Sequence, residues 1–295
     1  MRFLAVLCLF FSSFSAYGYP NLSNPVDLSP ELIGGTVADP AVWPASPWIG
    51  NCSSTIIGQR VLITAAHCVS NGGSVNFTIS STRYSGRCTH HASYRGNSTA
   101  DWALCLLTQP VAGVKYESIA TASEAACAVG KKVLWTGYGC QRWGGGIDGK
   151  FRVGEVSTTK CPSGTDYDVV TRGSVALCSG DSGGGGYVQL VAPLKRLVVG
   201  INSRSNTTDT SYVSSVFNSS FRDWAKTWGD TNTVKICGVH SDATDCATGD
   251  TPDDPSDPND PQDPAPTCVA EQAAVTSTLT SHVDAVTRLK ACLNP

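Results

Sequence analysis

Between Ile49 and Val216 the apolar residues come in short, punctuated runs: Thr55–Ile57, Val61–Ile63, Val75–Ile79, Leu104–Leu107, Lys132–Trp135, Val188–Val191, Leu197–Ile201 and Tyr212–Val216. Such runs are too short to bury the face of a helix, which needs roughly ten residues or more, and they have the length of strands. The connections draw on a total of 29 glycines, which supply turns. An all-β barrel architecture follows. One segment departs from the pattern. Phe217, Phe221, Trp224, Ala225 and Trp228 recur at helical spacing, which predicts a C-terminal helix packed on the second barrel. The chain has 295 residues and 41% of them are apolar, enough for one large domain with extra segments.

Three strings carry chemistry. Cys178-Ser179-Gly180-Asp181-Ser182-Gly183-Gly184 sets a serine in a tight glycine turn, where the N–H groups of Gly180 and Ser182 can converge on a developing oxyanion. Thr64-Ala65-Ala66-His67-Cys68 follows a buried run and places a histidine at its end. Ala100-Asp101-Trp102 puts a carboxylate at the head of another apolar run, where an unpaired charge is costly. Taken singly, His67 reads as a core histidine and Asp101 as a strand-end cap. Taken together, they supply a serine with a base and an orienting carboxylate. His90, His91, His240 and His282 have no such setting and read as solvated.

The order His67, Asp101, Ser182 resembles that of the trypsin-like (chymotrypsin family) serine endopeptidases, and the resemblance runs from about Leu32 to about Trp228. It implies two six-stranded antiparallel β-barrels with the active site in the cleft between them. Ser182 would be the nucleophile, His67 the base, Asp101 its orienting partner, and the Gly180 and Ser182 N–H groups the oxyanion hole. Leu32-Ile33-Gly34-Gly35 looks like the family's activation junction. Cleavage after Glu31 would free the Leu32 ammonium to pair with Asp181, with Ile33 as a second candidate terminus. The resemblance also implies a Cys52–Cys68 disulfide. It places Ser203 beside Asp101 and makes Ser203–Ser205 the edge on which a peptide adds as a strand. Ala176 would be the uncharged pocket floor, and Thr210 would narrow the pocket, so that small or medium apolar side chains fit best. Arg204 complicates this, since a guanidinium turned inward would favour acidic side chains. Two other readings remain. One is a protease-like binding protein without catalysis, the other an esterase, which the triad order and strand-rich pattern do not suit.

The ends of the chain are different in kind. Residues 1–18 have the layout of a signal peptide, with Met1-Arg2, an apolar run from Phe3 to Phe11 and a small-residue site at Ala16-Tyr17-Gly18. Residues 19–31 read as an activation propeptide and 32–247 as the protease domain. Residues 32–247 hold 18 Lys+Arg and 14 Asp+Glu, a net of +4, whereas 248–266 hold six Asp and no base. That Asp/Pro-rich stretch is a stiff linker. Residues 267–295 carry Val275, Leu279, Val283, Val286, Leu289 and Leu293 at helical intervals and read as an amphipathic appendage. No later segment reaches the ~20 apolar residues of a membrane span. With no dense basic cluster, nucleic acid is not an implied partner; protein or peptide substrates are, and the protein is expected to be secreted.

Thirteen cysteines become twelve once Cys8 leaves with the signal peptide, an even number that suits disulfides in an exported chain. Neither a Cys-x-x-Cys nor a His-x-x-x-His pair occurs, so no metal or other cofactor is expected. Cys88 with Cys105 and Cys161 with Cys178 are the next expected bridges, and Cys127 is expected to reach Cys237 or Cys246. Cys268 and Cys292 would pair only across a helical hairpin.

Overall fold

The structure, a computed structural model, describes residues 32–191 and 194–247. The signal peptide, propeptide, linker and appendage, with Cys268 and Cys292, lie outside the described residues. The strands are β1 (Thr36–Val37), β2 (Thr55–Gly58), β3 (Val61–Thr64), β4 (Ser74–Ile79), β5 (Thr82–His90) and β6 (Ala103–Leu107). A short helix α1 (Ala122–Ala125) precedes β7 (Lys132–Gly137), β8 (Arg152–Lys160), β9 (Asp168–Arg172), β10 (Gly185–Val191), β11 (Leu194–Ser205) and β12 (Thr210–Ser215). Helix α2 (Ser219–Thr231) follows.

They form two antiparallel sheets. The first runs β2-β3-β6-β5-β4 and stays open as a half-barrel. The second runs β1-β8-β7-β10-β11-β12-β9, and a further pairing of β8 with β9 closes six of its strands into a barrel. This matches the double-barrel architecture expected from the sequence, with one closed six-stranded barrel and a five-stranded half-barrel where two six-stranded barrels were expected. β8 can pair on both sides because it is nine residues long and shifts register between Thr158 and Lys160, which bends it toward β9.

Apolar runs marked eight of these strands, but β1, β5, β8 and β9 carry no such run. In β5 only Tyr84, Gly86 and Cys88 turn inward, and in β8 Arg152, Gly154, Val156 and Thr158 do. Their burial alternates with a period of two, so each shows polar residues between small or isolated apolar ones. β2 and β3, by contrast, are buried at every position.

Helix α2 begins where Asn218 accepts the Phe221 N–H at 2.9 Å, an N-cap. It buries Phe221, Ala225 and Trp228 in the core that holds the first-half strands, Phe221 meeting Trp102, which corrects the expectation of packing on the second barrel. His91 is buried between the rings of Trp102 and Trp224, with centroids 5.1 Å from each, and burial lowers its pKa. His240 is buried too, its Nδ1 accepting the Ile236 N–H at 3.0 Å. Both therefore correct the expectation of solvated rings, because each lies on a turn folded back beneath α2.

Candidate active site

Asp101, at the head of β6, is 2% exposed. Oδ1 accepts the backbone N–H of His67 at 2.9 Å, while Oδ2 meets His67 Nδ1 at 2.6 Å and accepts the Ser203 hydroxyl at 2.7 Å. Burial alone would raise its pKa, but the hydrogen bonds from His67 and Ser203 outweigh it and hold the carboxyl below the usual carboxylate range. A proton on Nδ1 shared with this carboxylate leaves the lone pair of the neutral ring on Nε2, at the exposed edge. Trp102 braces the arrangement, donating Nε1 to Ser214 O at 3.2 Å and packing its ring on Phe221 at 5.5 Å.

His67 sits on a single 3-10 turn, Ala66–Cys68, directly after β3, and the Cys52–Cys68 disulfide ties that turn back to the chain ahead of β2. Cys52, His67 and Cys68 bring ligand-type atoms within 4.8 Å of one another, but both sulfurs are spent in the disulfide and offer no thiolate to a metal.

Ser182 comes from the second barrel, and Gly183 is what allows it to arrive here. A Cβ at Gly183 would lie 2.1 Å from Thr64 Oγ1 and 2.3 Å from Ser53 O, so only glycine lets the loop press against the end of β3 just before His67. Ser53 fastens the same loop, donating its N–H to Ser182 O at 2.9 Å and its hydroxyl to Gly180 O at 2.8 Å. The Ser182 hydroxyl, half-buried, makes a long 3.5 Å contact with Ser203 O. Ser203 thus touches both the serine and Asp101. Among the described residues, Ser182 Oγ and His67 Nε2 are not hydrogen-bonded in this conformation.

Two peptide planes beside Ser182 are fixed by their carbonyls. Cys140 N–H donates to Ser179 O at 2.9 Å, and Gly184 N–H donates to Asp181 O at 3.0 Å. Because carbonyl and N–H point in opposite directions across a trans peptide, the N–H groups of Gly180 and Ser182 face away from these anchors. Neither donates to a protein acceptor among the described residues. A carbonyl set in that position could be attacked by Ser182 while the two amides hold its oxygen.

A family model of trypsin matches residues 32–225, about two thirds of the chain. The chain belongs to the trypsin family. Solved structures of the same fold include the atomic-resolution structure of HBP, with a TM-score of 0.54 and 22% identity over 66% of this chain and 95% of that one. A point mutant of human heparin binding protein (CAP37) matches with a TM-score of 0.53 and 21% identity over the same shares. At these identities the likeness is one of fold.

In this trypsin-family chain the residues expected to shape substrate binding fall around one edge. Ala176 is fully buried and donates its N–H to Ile33 O at 2.9 Å. Ser205 Oγ donates to Leu177 O at 2.7 Å, a bond that directly joins the segment before Ser182 to the end of β11. Thr210 is half-buried, its hydroxyl bonded to Asp209 at 2.8 Å. Arg204 does not stand as a free cation. It pairs with Asp168, reaches Ser98 O at 3.3 Å and lies 4.9 Å from the Tyr212 ring centroid. Asp168 is 3% exposed, and burial raises its pKa against the pull of Arg204. Asp168 had no sequence signal, since it lies in a strand that no apolar run marks.

Asp181 is fully buried. Its carboxylate accepts N–H groups from Gly139 and Cys178, each at 2.8 Å, yet burial pushes its pKa up to about 7. Leu32 is also fully buried, against Val156, Val175 and Leu177 among others, while still peptide-bonded to Glu31. It therefore has no ammonium to offer in this form of the chain.

The disulfides correct two expectations. Cys88–Cys105 forms between paired strands, but Cys161 bonds Cys127, Cys178 bonds Cys140, and Cys237 bonds Cys246. The reason is register. Thr158 N–H donates to Lys131 O and Gly130 N–H to Thr158 O, which lays the segment after α1 beside the end of β8 and brings Cys127 to Cys161.

Proposed function

We propose that this chain is a secreted serine endopeptidase that cleaves peptide bonds through an acyl-enzyme. What carries the proposal is the triple hydrogen bonding of buried Asp101 by His67 and Ser203, beside a serine whose loop leaves two N–H groups without a protein acceptor. Ser182 Oγ attacks the carbonyl carbon and passes its proton to His67 Nε2. The Gly180 and Ser182 amides stabilise the oxyanion, and the imidazolium returns the proton to the leaving amine. Water then enters by the same route in reverse and releases the acid. The Ser182–His67 bond forms as substrate seats, as is common for nucleophile–base pairs that are loose without a ligand.

In this reading residues 1–18 direct export and are removed, and cleavage after Glu31 exposes Leu32 for pairing with Asp181. Residues 248–266 space the protease domain from the 267–295 appendage. Five disulfides among the described residues suit an oxidising compartment, and among those residues no helix is long and apolar enough to cross a membrane. Ser205 bonded across to Leu177, with Thr210 nearby and no charge at Ala176, supports cleavage after small or medium apolar residues. Treatment with a fluorophosphonate probe, then casein, then a simple ester, tests the proposal. Labelling at Ser182 with casein cleavage is the expected result. A chain that resists the probe is instead a protease-like binding protein, and one that labels but hydrolyses only the ester is an esterase.

A further inference from the structure

Two different ties converge on the peptide that carries the Gly180 N–H. Cys140 N–H holds Ser179 O, which sets the orientation of the Ser179–Gly180 peptide, and the Cys140 sulfur is bonded to Cys178, one residue before Ser179. The same two segments supply both amides that receive the Asp181 carboxylate, from Gly139 and from Cys178. A Cβ at Gly139 would fall 2.4 Å from the Asp181 carboxyl, so the fit leaves no slack on that side. The disulfide therefore covalently joins the two segments that cradle Asp181 and orient the oxyanion peptide, at residues adjoining both. This arrangement stands in a chain whose Leu32 is still bonded to Glu31.

We propose that the Cys140–Cys178 disulfide is a positioning element for the oxyanion loop, one that aims the Gly180 N–H into the site before any N-terminal cleavage. The unprocessed chain is then already competent, and the Leu32 ammonium adds to a loop that is largely in place. The inference rests on the serine peptidase reading and deepens it by assigning a second, cleavage-independent source of loop order.

The test crosses the disulfide with processing. The full chain, carrying a specific processing-protease site directly before Leu32, is assayed before and after cutting, with both states verified by intact mass. The readout is the rate of Ser182 labelling by a fluorophosphonate, expressed per folded molecule. For the parent chain the two rates should lie within about tenfold. In the Cys140→Ser/Cys178→Ser variant the uncut chain should fall by about a hundredfold or more, while the cut chain, rescued by its ammonium, should fall by less than about tenfold. The control is Cys127→Ser/Cys161→Ser, which opens a ring of similar span, 34 residues against 38, away from the bonds of Asp181. It should lower both states equally. If the serine variant fails to accumulate, Cys140→Val/Cys178→Ala serves, since it fills the space without the bond. Equal losses in cut and uncut chains, no loss in either, or a parent chain that labels only after cutting would each overturn the inference. A parent chain that labels in neither state would instead remove the peptidase reading beneath it.

Discussion

The two halves of the molecule hold their functional groups by different means. In the open half-barrel, His67 and Asp101 sit at the ends of adjacent strands, β3 and β6, whose fully paired register fixes them together. Its two disulfides span only 16 and 17 residues. In the closed barrel, Ser182 lies in a loop outside any strand, held by Ser53 from the other half and by a disulfide spanning 38 residues. The His67–Asp101 side is thus built into local strand pairing. The Ser182 side is assembled from distant segments, so in the proposed reading it is the side that processing would adjust.

The sharpest way to break this comparison is to remove one group from each half. Ser182→Ala and His67→Ala should each lower kcat by roughly 10⁶, with the double variant scarcely worse, because the groups act as a unit. Thermal unfolding should be unchanged within about 0.5 kcal/mol in Ser182→Ala, whereas His67→Ala takes a hydrogen bond from the buried Asp101 carboxylate and should cost about 1–3 kcal/mol. A Ser182→Ala chain that cleaves peptides at near parent rate would end the assignment.

The conditional character of the Ser182 side shows in pH. Asp181 in the fold holds its proton up to about pH 7, whereas in the unfolded chain it ionises near the ordinary carboxylate value. Between those values the folded state binds the extra proton, so stability contributed by Asp181 is present at low pH and lost as pH rises toward 7. For the uncut chain the loss is roughly 4 kcal/mol. Urea unfolding at pH 4 and pH 8 should show this fall in the parent and a much flatter profile in Asp181→Asn. Cutting before Leu32 should also flatten it, as the ammonium gives the carboxylate a partner. Equal slopes in all three forms would show that Asp181 is not the titrating group.

Smaller effects belong to the substrate edge. Arg204→Ala strands the buried Asp168 carboxylate and should cost about 2 kcal/mol in urea unfolding, below the usual range for a buried pair because Arg204 is 38% exposed. Removing both residues should cost less than removing Arg204 alone. Smallest is the selectivity at the scissile residue, where cleavage after Ala, Val or Leu should exceed cleavage after Lys or Arg by about tenfold, roughly 1.4 kcal/mol. A peptide-library profile dominated by Lys and Arg would refute it, and one dominated by Glu or Asp would mean that Arg204 leaves Asp168 to meet the substrate.

What could be read from the sequence divides along the same line. Strands buried on both faces, such as β2 and β3, announce themselves as apolar runs, and the residues that meet at the site follow or precede such runs. β8 does not, because a strand lining one side of a barrel needs an inward residue only at every second position, and here two of those are Arg152 and Gly154; β9 is buried from Asp168 to Thr171, but its polar ends leave only Val169 and Val170 as an apolar pair. The bridges Cys127–Cys161 and Cys140–Cys178 depend on the register of those hidden strands and loops, so spacing along the chain could not specify them. The Arg204–Asp168 pair escaped for the same reason, since its acidic member stands on β9.

The packing of α2 also sets an order of events during synthesis. Asp101 is steered by its neighbour Trp102, whose ring rests on Phe221, and His91 on the same side is clasped by Trp224. These supports are among the last parts of the protease domain to leave the ribosome, well after Ser182. A growing chain therefore carries Ser182 before the wall behind Asp101 is complete. A chain cut short before Ser219 lacks both Phe221 and Trp224, and so has no wall behind Asp101.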